Sequence, residues 1–150
     1  MAIQHIDVSA TTTASADTTY ALLADGTSWP TWSPIESFEL SRAGDDGGET
    51  VGAVRVFRTG KVRSSEQIID LVPGKRLSYV LVDGLAIRDY RADVELSEGQ
   101  DGTTTINWSS SFRPKIPGLG GLYRRTLTTF IQRCATGLAE HAAAIERPSP

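Results

Sequence analysis

Residues 122–145 read LYRRTLTTFIQRCATGLAEHAAAI, and their apolar side chains recur mostly at spacings of three and four. This period predicts one long amphipathic helix, which begins after the glycine-rich residues 118–121 and ends near Glu146. The helix must lay its apolar stripe on another element, because a stripe of this length is stable only when buried. The stripe consists of Leu122, Tyr123, Thr126, Leu127, Phe130, Ile131, Cys134, Leu138, His141, Ala142 and Ile145.

Upstream of this helix, turn signals separate short segments rich in Val, Ile, Thr and aromatic residues. Pairs such as Pro73-Gly74 and Asp83-Gly84 are typical of turns between antiparallel strands. Two short helices are expected after the first strand, one capped by Ser15 or Asp17 and one of a single turn at 29–34. We predict seven strands, at about residues 3–13, 35–43, 50–59, 62–72, 76–83, 86–97 and 103–113.

The last predicted strand alternates between two kinds of side chain. Ile106, Trp108, Ser110 and Phe112 share one face, and polar residues occupy the other. Such alternation predicts an antiparallel sheet with one buried and one hydrated face. The long helix is the one segment able to cover the buried face. The fold class is therefore α+β, a curved seven-stranded antiparallel sheet wrapped around a long C-terminal helix, with a cavity for a small molecule between them.

Length and charge restrict the class of protein. A chain of 150 residues has the usual size of one domain, so we treat residues 1–150 as a single ligand-binding domain. The formal net charge of −3 disfavours a nucleic-acid partner, because such partners require a basic surface. We interpret the basic residues late in the chain as a solvated rim and helix face. They are Arg113, Lys115, Arg124, Arg125 and Arg133.

The cysteine and histidine residues provide information on the cellular compartment of the protein and on whether it binds a metal. The single Cys134 cannot form an internal disulfide, which suits a reducing compartment. We see no secretory signal after Met1 and no apolar run of about 20 residues that could span a bilayer, so we expect a cytoplasmic location. His5 and His141 lack further ligands at metal-binding spacing, and residues 118–121 lack a dinucleotide-loop pattern, so we expect neither metal nor cofactor. Monomer and homodimer both stay open.

The order of these elements and several short strings resemble the START-like, helix-grip superfamily (SRPBCC). This superfamily includes polyketide cyclase/dehydrase-like proteins, the birch-pollen allergen family and the plant abscisic acid receptors. The bacterial cyclase/dehydrase-like branch is the most similar. The strings are Trp29-Pro30-Thr31-Trp32-Ser33-Pro34, Val51-Gly52-Ala53-Val54-Arg55, Ser65-Glu66-Gln67-Ile68, Pro73-Gly74-Lys75-Arg76-Leu77-Ser78-Tyr79, Arg88-Asp89-Tyr90-Arg91, Trp108-Ser109-Ser110-Ser111-Phe112 and Pro117-Gly118.

The resemblance implies an apolar ligand held between the sheet and the C-terminal helix, without the gating loop of the hormone receptors, because residues 59–61 are too short for it. From the sheet, the implied pocket residues are Arg55, Phe57, Glu66, Tyr79, Tyr90, Trp108, Ser110 and Phe112. From the helix, they are Leu122, Thr126, Leu127, Phe130 and Cys134.

Glu66 is the ionisable residue of greatest interest. Pointing inward, it would bind a polar group of the ligand or act as a general base; pointing outward, it would face water beside Ser64. A bulge would invert its direction. Arg55 has the same ambiguity, and inside it would need Glu66 or a ligand carboxylate as its partner.

Three functions follow from these alternatives. The first is non-catalytic binding or carriage of a small hydrophobic molecule, of lipid, polyketide-like or aromatic type. The second is a polyketide aromatase/cyclase or dehydratase in which Glu66, Arg55 and a tyrosine handle protons. The third is a protein-interaction module whose cavity is filled by side chains. We expect the first, with Glu66 as the one catalytic candidate if the protein is an enzyme.

Overall fold

Seven antiparallel strands form one curved sheet, and a 27-residue helix packs on its inner face. The computed structural model describes residues 2–147. The strands are β1 Gln4–Thr12, β2 Ser37–Arg42, β3 Val54–Thr59, β4 Val62–Val72, β5 Arg76–Asp83, β6 Ile87–Glu98 and β7 Thr104–Pro114. The helices are α1 Ala16–Ala24, α2 Trp29–Trp32 and α3 Gly120–Glu146, with a 3₁₀ turn at Gly26–Ser28 before α2.

The strand order is β1-β7-β6-β5-β4-β3-β2, so every pairing is antiparallel and β1 and β2 are the edges. Register shifts interrupt β2, β4 and β6, and Asp89 in β6 has a φ of 54°. Extra residues of this kind bend a strand and increase its twist. These bulges therefore let the sheet wrap around α3 rather than lie flat beneath it.

Helix α3 packs chiefly on β1 and β7, and it also touches α1 and α2. Its buried face includes Ile131, Cys134 and Leu138, opposite Ile106 and Trp108 of β7. The long amphipathic helix and its position on the concave face, both expected from the spacing of apolar residues, are confirmed. Within residues 2–147, no helix has the length and hydropathy needed to cross a membrane.

Two ends of the predicted stripe are exceptions. Leu122 is 59% exposed and Ile145 is 52% exposed. Leu122 precedes Tyr123, and successive residues lie about 100° apart around a helix, so Leu122 leaves the stripe at the first turn. The prediction that Leu122 faces the sheet is therefore wrong.

The predicted strand at 50–59 begins four residues later, at Val54. Gly52 has a φ of 94°, and the Ala53 amide donates to the Thr50 carbonyl at 2.9 Å, so a turn occupies the start of the segment. The other predicted elements lie within a few residues of their predicted bounds. Ser15 caps α1 by accepting from the Thr18 amide, as expected for one of the two candidate caps.

Candidate ligand cavity

A cavity of about 200 Å³ lies between the inner face of the sheet and α3. Its wall is mainly apolar and aromatic, with one carboxyl group and two phenols. The lining residues are Trp29, Ile35, Thr59, Val62, Ser64, Glu66, Tyr79, Leu85, Tyr90, Trp108, Thr126, Leu127, Phe130, Ile131 and Cys134. An apolar cavity with a few convergent polar groups is the usual form of a small-molecule site.

A wider groove of about 730 Å³ lies on the surface, between the start of α1 and the β4–β5 turn. It is more open than the inner cavity, and its wall is rich in charged groups such as Lys75, Arg76 and Glu95. Arg76 is already paired with Asp70 at 2.7 Å. We take the inner cavity as the candidate site, because it is better enclosed and lined by apolar and aromatic side chains.

The structure brings eight of the thirteen expected pocket residues to the cavity wall. They are Glu66, Tyr79, Tyr90, Trp108, Thr126, Leu127, Phe130 and Cys134. Arg55, Phe57, Ser110 and Phe112 are buried but do not border the cavity, and Leu122 is exposed outside it.

Seven lining residues were not expected: Trp29, Ile35, Thr59, Val62, Ser64, Leu85 and Ile131. A signal existed for two of them, because Ile131 belongs to the apolar stripe and Ser64 shares the strand face of Glu66. Trp29 comes from the segment between β1 and β2, and only the folded chain shows that its ring turns toward the cavity.

The β3–β4 hairpin sets the direction of the two central charges. Arg55 is the direct partner of Glu66, and Phe57 is the direct partner of Ser64. Paired residues of antiparallel strands point to the same face, so all four point inward. The register shift between Ser65 and Glu66 places its extra residue on β5, so β4 alternates without a break through Glu66, and the bulge in β4 lies beyond it, between Ile68 and Asp70.

Arg55 is 1% exposed and obtains its partners from outside the sheet. Its Nη1 donates to the Leu23 carbonyl at 2.9 Å and to Glu49 Oε1 at 3.4 Å. Its guanidinium carbon lies 5.0 Å from the ring centre of Trp29 and 5.3 Å from that of Phe57, within cation–π range. The expected partners were Glu66 or a ligand carboxylate. The ion-pair partner in the structure is Glu49, and Arg55 Nη2 is buried without a hydrogen bond.

Glu66 borders the cavity and is half-buried as a residue, but its Oε1 is fully shielded and has no hydrogen-bond partner among residues 2–147. Burial raises the pKa of the Glu66 carboxyl from 4.5 to about 7, and the nearby positive charge of Arg55 limits the rise. This carboxyl therefore changes its charge near neutral pH.

Tyr79 and Tyr90 stand on neighbouring strands, with ring centres 6.2 Å apart. The Tyr79 hydroxyl accepts a hydrogen bond from Trp108 Nε1 at 3.2 Å. Burial raises the pKa of both phenols, and the Glu66 carboxyl acts in the same direction. Both tyrosines are consequently neutral hydroxyl groups in the folded protein at physiological pH.

Cys134 is buried, and burial raises the pKa of its thiol, so it is a small apolar wall group rather than a nucleophile. No cluster of three or more metal-ligating side chains occurs in residues 2–147. The arrangement can hold an apolar molecule and present one carboxyl and two phenols to it.

The family described as polyketide cyclase / dehydrase and lipid transport matches residues 4–143. No curated protein matches the chain. The chain is similar to the structure of XoxI from Bacillus cereus, with a TM-score of 0.79, 17% identity and coverage of 96% of this chain and 99% of that one. It is also similar to a START superfamily protein from Mycobacterium smegmatis, with a TM-score of 0.80, 13% identity and coverage of 94% of this chain and 98% of that one. A third similar structure is that of Ara h 8.0201, with a TM-score of 0.75, 14% identity and coverage of 95% of this chain and 99% of that one. At these identities the likeness shows the fold alone, and it confirms the expected helix-grip class.

Proposed function

We propose a function for this chain from the premise that it belongs to the polyketide cyclase/dehydrase and lipid-transport family, in agreement with the START-like resemblance of its sequence. The protein binds a small, mostly apolar molecule in the cavity between the sheet and α3. One end of that molecule carries a polar group that pairs with Glu66. The cytoplasmic location and the monomeric or dimeric state expected from the sequence stay predictions.

The observation that carries this proposal is the shielded Oε1 of Glu66 at the wall of an apolar cavity. A buried oxygen without a partner costs about 1–3 kcal/mol, so a ligand that donates a hydrogen bond there recovers that free energy. The remaining wall contributes area burial, for which aromatic groups such as Phe130 and Trp108 are well suited.

The size of the cavity restricts the ligand. A dry cavity of about 150 Å³ in another protein holds one benzene ring, and the cavity here is about 200 Å³. A molecule of one or two rings, or a short acyl chain, matches that space. Because the interior is not filled by side chains, the interaction module with a filled cavity is the least supported of the three functions.

Binding of naphthalene and 2-naphthol, measured by calorimetric titration, tests the polar contact. We expect the wild type to prefer 2-naphthol by about tenfold or more, because its hydroxyl donates to Glu66. Glu66→Leu should bind both compounds with nearly equal affinity, and Glu66→Gln, which keeps an acceptor oxygen, should retain part of the preference. An unchanged preference in Glu66→Leu would contradict the proposal.

A cyclase or dehydratase activity is the second candidate, and the carboxyl with a pKa of about 7 favours it. A group that ionises near the working pH is suited to general acid–base catalysis. Glu66 would remove a proton from carbon next to a carbonyl, and the hydroxyl of Tyr79 or Tyr90 would polarise that carbonyl during aldol closure. The Glu66→Gln variant separates the candidates, because an enzyme would lose turnover of a poly-β-ketone substrate while it still binds it.

A further inference from the structure

Three segments lie around one end of the cavity, and we call them together the mouth rim: residues 59–63, 83–88 and 115–126. Thr59, Val62, Leu85 and Thr126 line the cavity itself. The Lys115 amide donates to the Ala86 carbonyl at 3.3 Å, so the third segment lies against the second. The backbone of Gly84 packs on the Arg63 carbonyl, which joins the second segment to the first. The rim is thus one continuous surface.

The mouth rim exposes large apolar side chains. Val62 at the β3–β4 tip is 48% exposed, Ile116 in the loop before α3 is 46% exposed, and Leu122 in the first turn of α3 is 59% exposed. These are three of the eight large apolar residues that residues 2–147 leave exposed, one at the β3–β4 tip and two in residues 115–126. Apolar groups that gather around a polar-rimmed opening mark an interaction site.

The same surface is basic. It exposes six cationic side chains for which no carboxylate of residues 2–147 lies within salt-bridge distance: Lys61, Arg63, Arg88, Lys115, Arg124 and Arg125. The acidic groups nearby are fewer. Asp89 is paired with Arg113 at 3.7 Å, so Glu36 and Asp83 are the two nearby carboxylates without an ion-pair partner among residues 2–147. The chain as a whole has a formal net charge of −3, so positive charge is concentrated at the mouth.

We infer that the mouth rim docks on the surface of an anionic lipid bilayer, with Val62, Ile116 and Leu122 inserted among the headgroups and the six cations around them paired with lipid phosphates. Juxtaposed basic and apolar side chains have this complementarity, because anionic leaflets attract cations while the interface accepts apolar groups. A nucleic acid would use the cations but would leave the apolar side chains in water. Docking in this orientation places the cavity mouth against the membrane, so an apolar ligand passes between the two without crossing water.

Flotation with vesicles of phosphatidylcholine and phosphatidylglycerol in equal parts tests the inference. We expect the wild type to float with these vesicles, to stay free of pure phosphatidylcholine vesicles, and to dissociate as salt is added. Arg124→Glu/Arg125→Glu should weaken the association by about tenfold or more. Ile116→Gln/Leu122→Gln, which keeps every charge, should weaken it as well.

The matched control is Arg42→Glu/Lys75→Glu. Both residues are exposed at the opposite end of the sheet, and the double change alters the net charge by the same amount as the α3 pair. It should float like the wild type. An equal loss in this control, equal binding to neutral vesicles, or binding of duplex DNA in preference to the vesicles would overturn the inference. Retained 2-naphthol binding shows that a variant is folded, so failure of docking is distinguishable from failure of the cavity.

Discussion

Glu66 is the residue whose surroundings matter most for the account. Its carboxyl was recognised in the sequence as a candidate, but its direction was not, because strand parity is uninformative where a bulge follows. The pairing with Arg55 on the β3 side determines that direction, and such a pairing is a property of the folded sheet. The ion pair of Arg55 with Glu49 was also missed. Glu49 lies in a turn, and the alternation of side chains along a strand gives no direction for a residue outside the strands.

The raised pKa of Glu66 makes a prediction about stability. Below pH 4.5 the carboxyl is protonated in the folded and unfolded states alike, and between 4.5 and about 7 only the unfolded chain ionises. The folded state therefore loses stability as pH rises through this window, by up to about 3 kcal/mol. Glu66→Gln removes the effect, so its free energy of unfolding relative to the wild type should increase by roughly 2 kcal/mol between about pH 5 and about pH 8.

Urea unfolding at the two pH values measures this difference. Glu39→Gln, which removes an exposed carboxyl on β2, is the matched control for the loss of one carboxyl group. A Glu66→Gln variant that differs from the wild type by the same amount at both pH values would show that Glu66 ionises normally.

Helix α3 is the element that the sequence predicts best. Its stripe of apolar residues extends over more than six turns, and periodicity over such a length is hard to produce by chance. The exposed position of Leu122 was not predicted, because its spacing of four from Thr126 suggested a shared face, although Leu122 lies about 180° around the helix from the buried Ile131. Short elements were predicted less well, and the turn at 50–53 escaped because Val51 and Ala53 fit a strand pattern as well as they fit a turn.

One position in α3 shows how close the helix lies to α2. A Cβ added at Gly137 would overlap the Trp32 carbonyl oxygen, whereas a Cβ at Gly121 would meet nothing within 4 Å. Gly137→Ala should therefore lower the free energy of unfolding by about 2 kcal/mol, since the clash outweighs the better helix propensity of alanine. Gly121→Ala should leave it unchanged or raise it by up to about 1 kcal/mol. Thermal unfolding of both variants checks the pair, and equal effects would contradict the packing described for α3.

In the molecule as a whole, sequence order predicts the architecture, and the structure adds the cavity. The alternation of polar and apolar residues predicts the sheet, and the helical period of apolar residues predicts the helix that covers it. The volume between the sheet and the helix depends on which side chains fill it. Trp29, Phe57 and Phe112 pack into the core, and Trp29 also forms part of the wall. The sequence pattern does not distinguish inward side chains that pack in the core from inward side chains that line the cavity. For this reason only part of the pocket was predicted.

Native mass spectrometry of gently purified protein shows whether the cavity holds a small apolar molecule. We expect a non-covalent adduct on the wild type and on Cys134→Ala, which leaves the cavity open. Cys134→Phe places a ring into the cavity, so it should lose the adduct while it remains folded. A wild type that is reproducibly free of adduct, and that also fails to take up added 2-naphthol, would contradict the account.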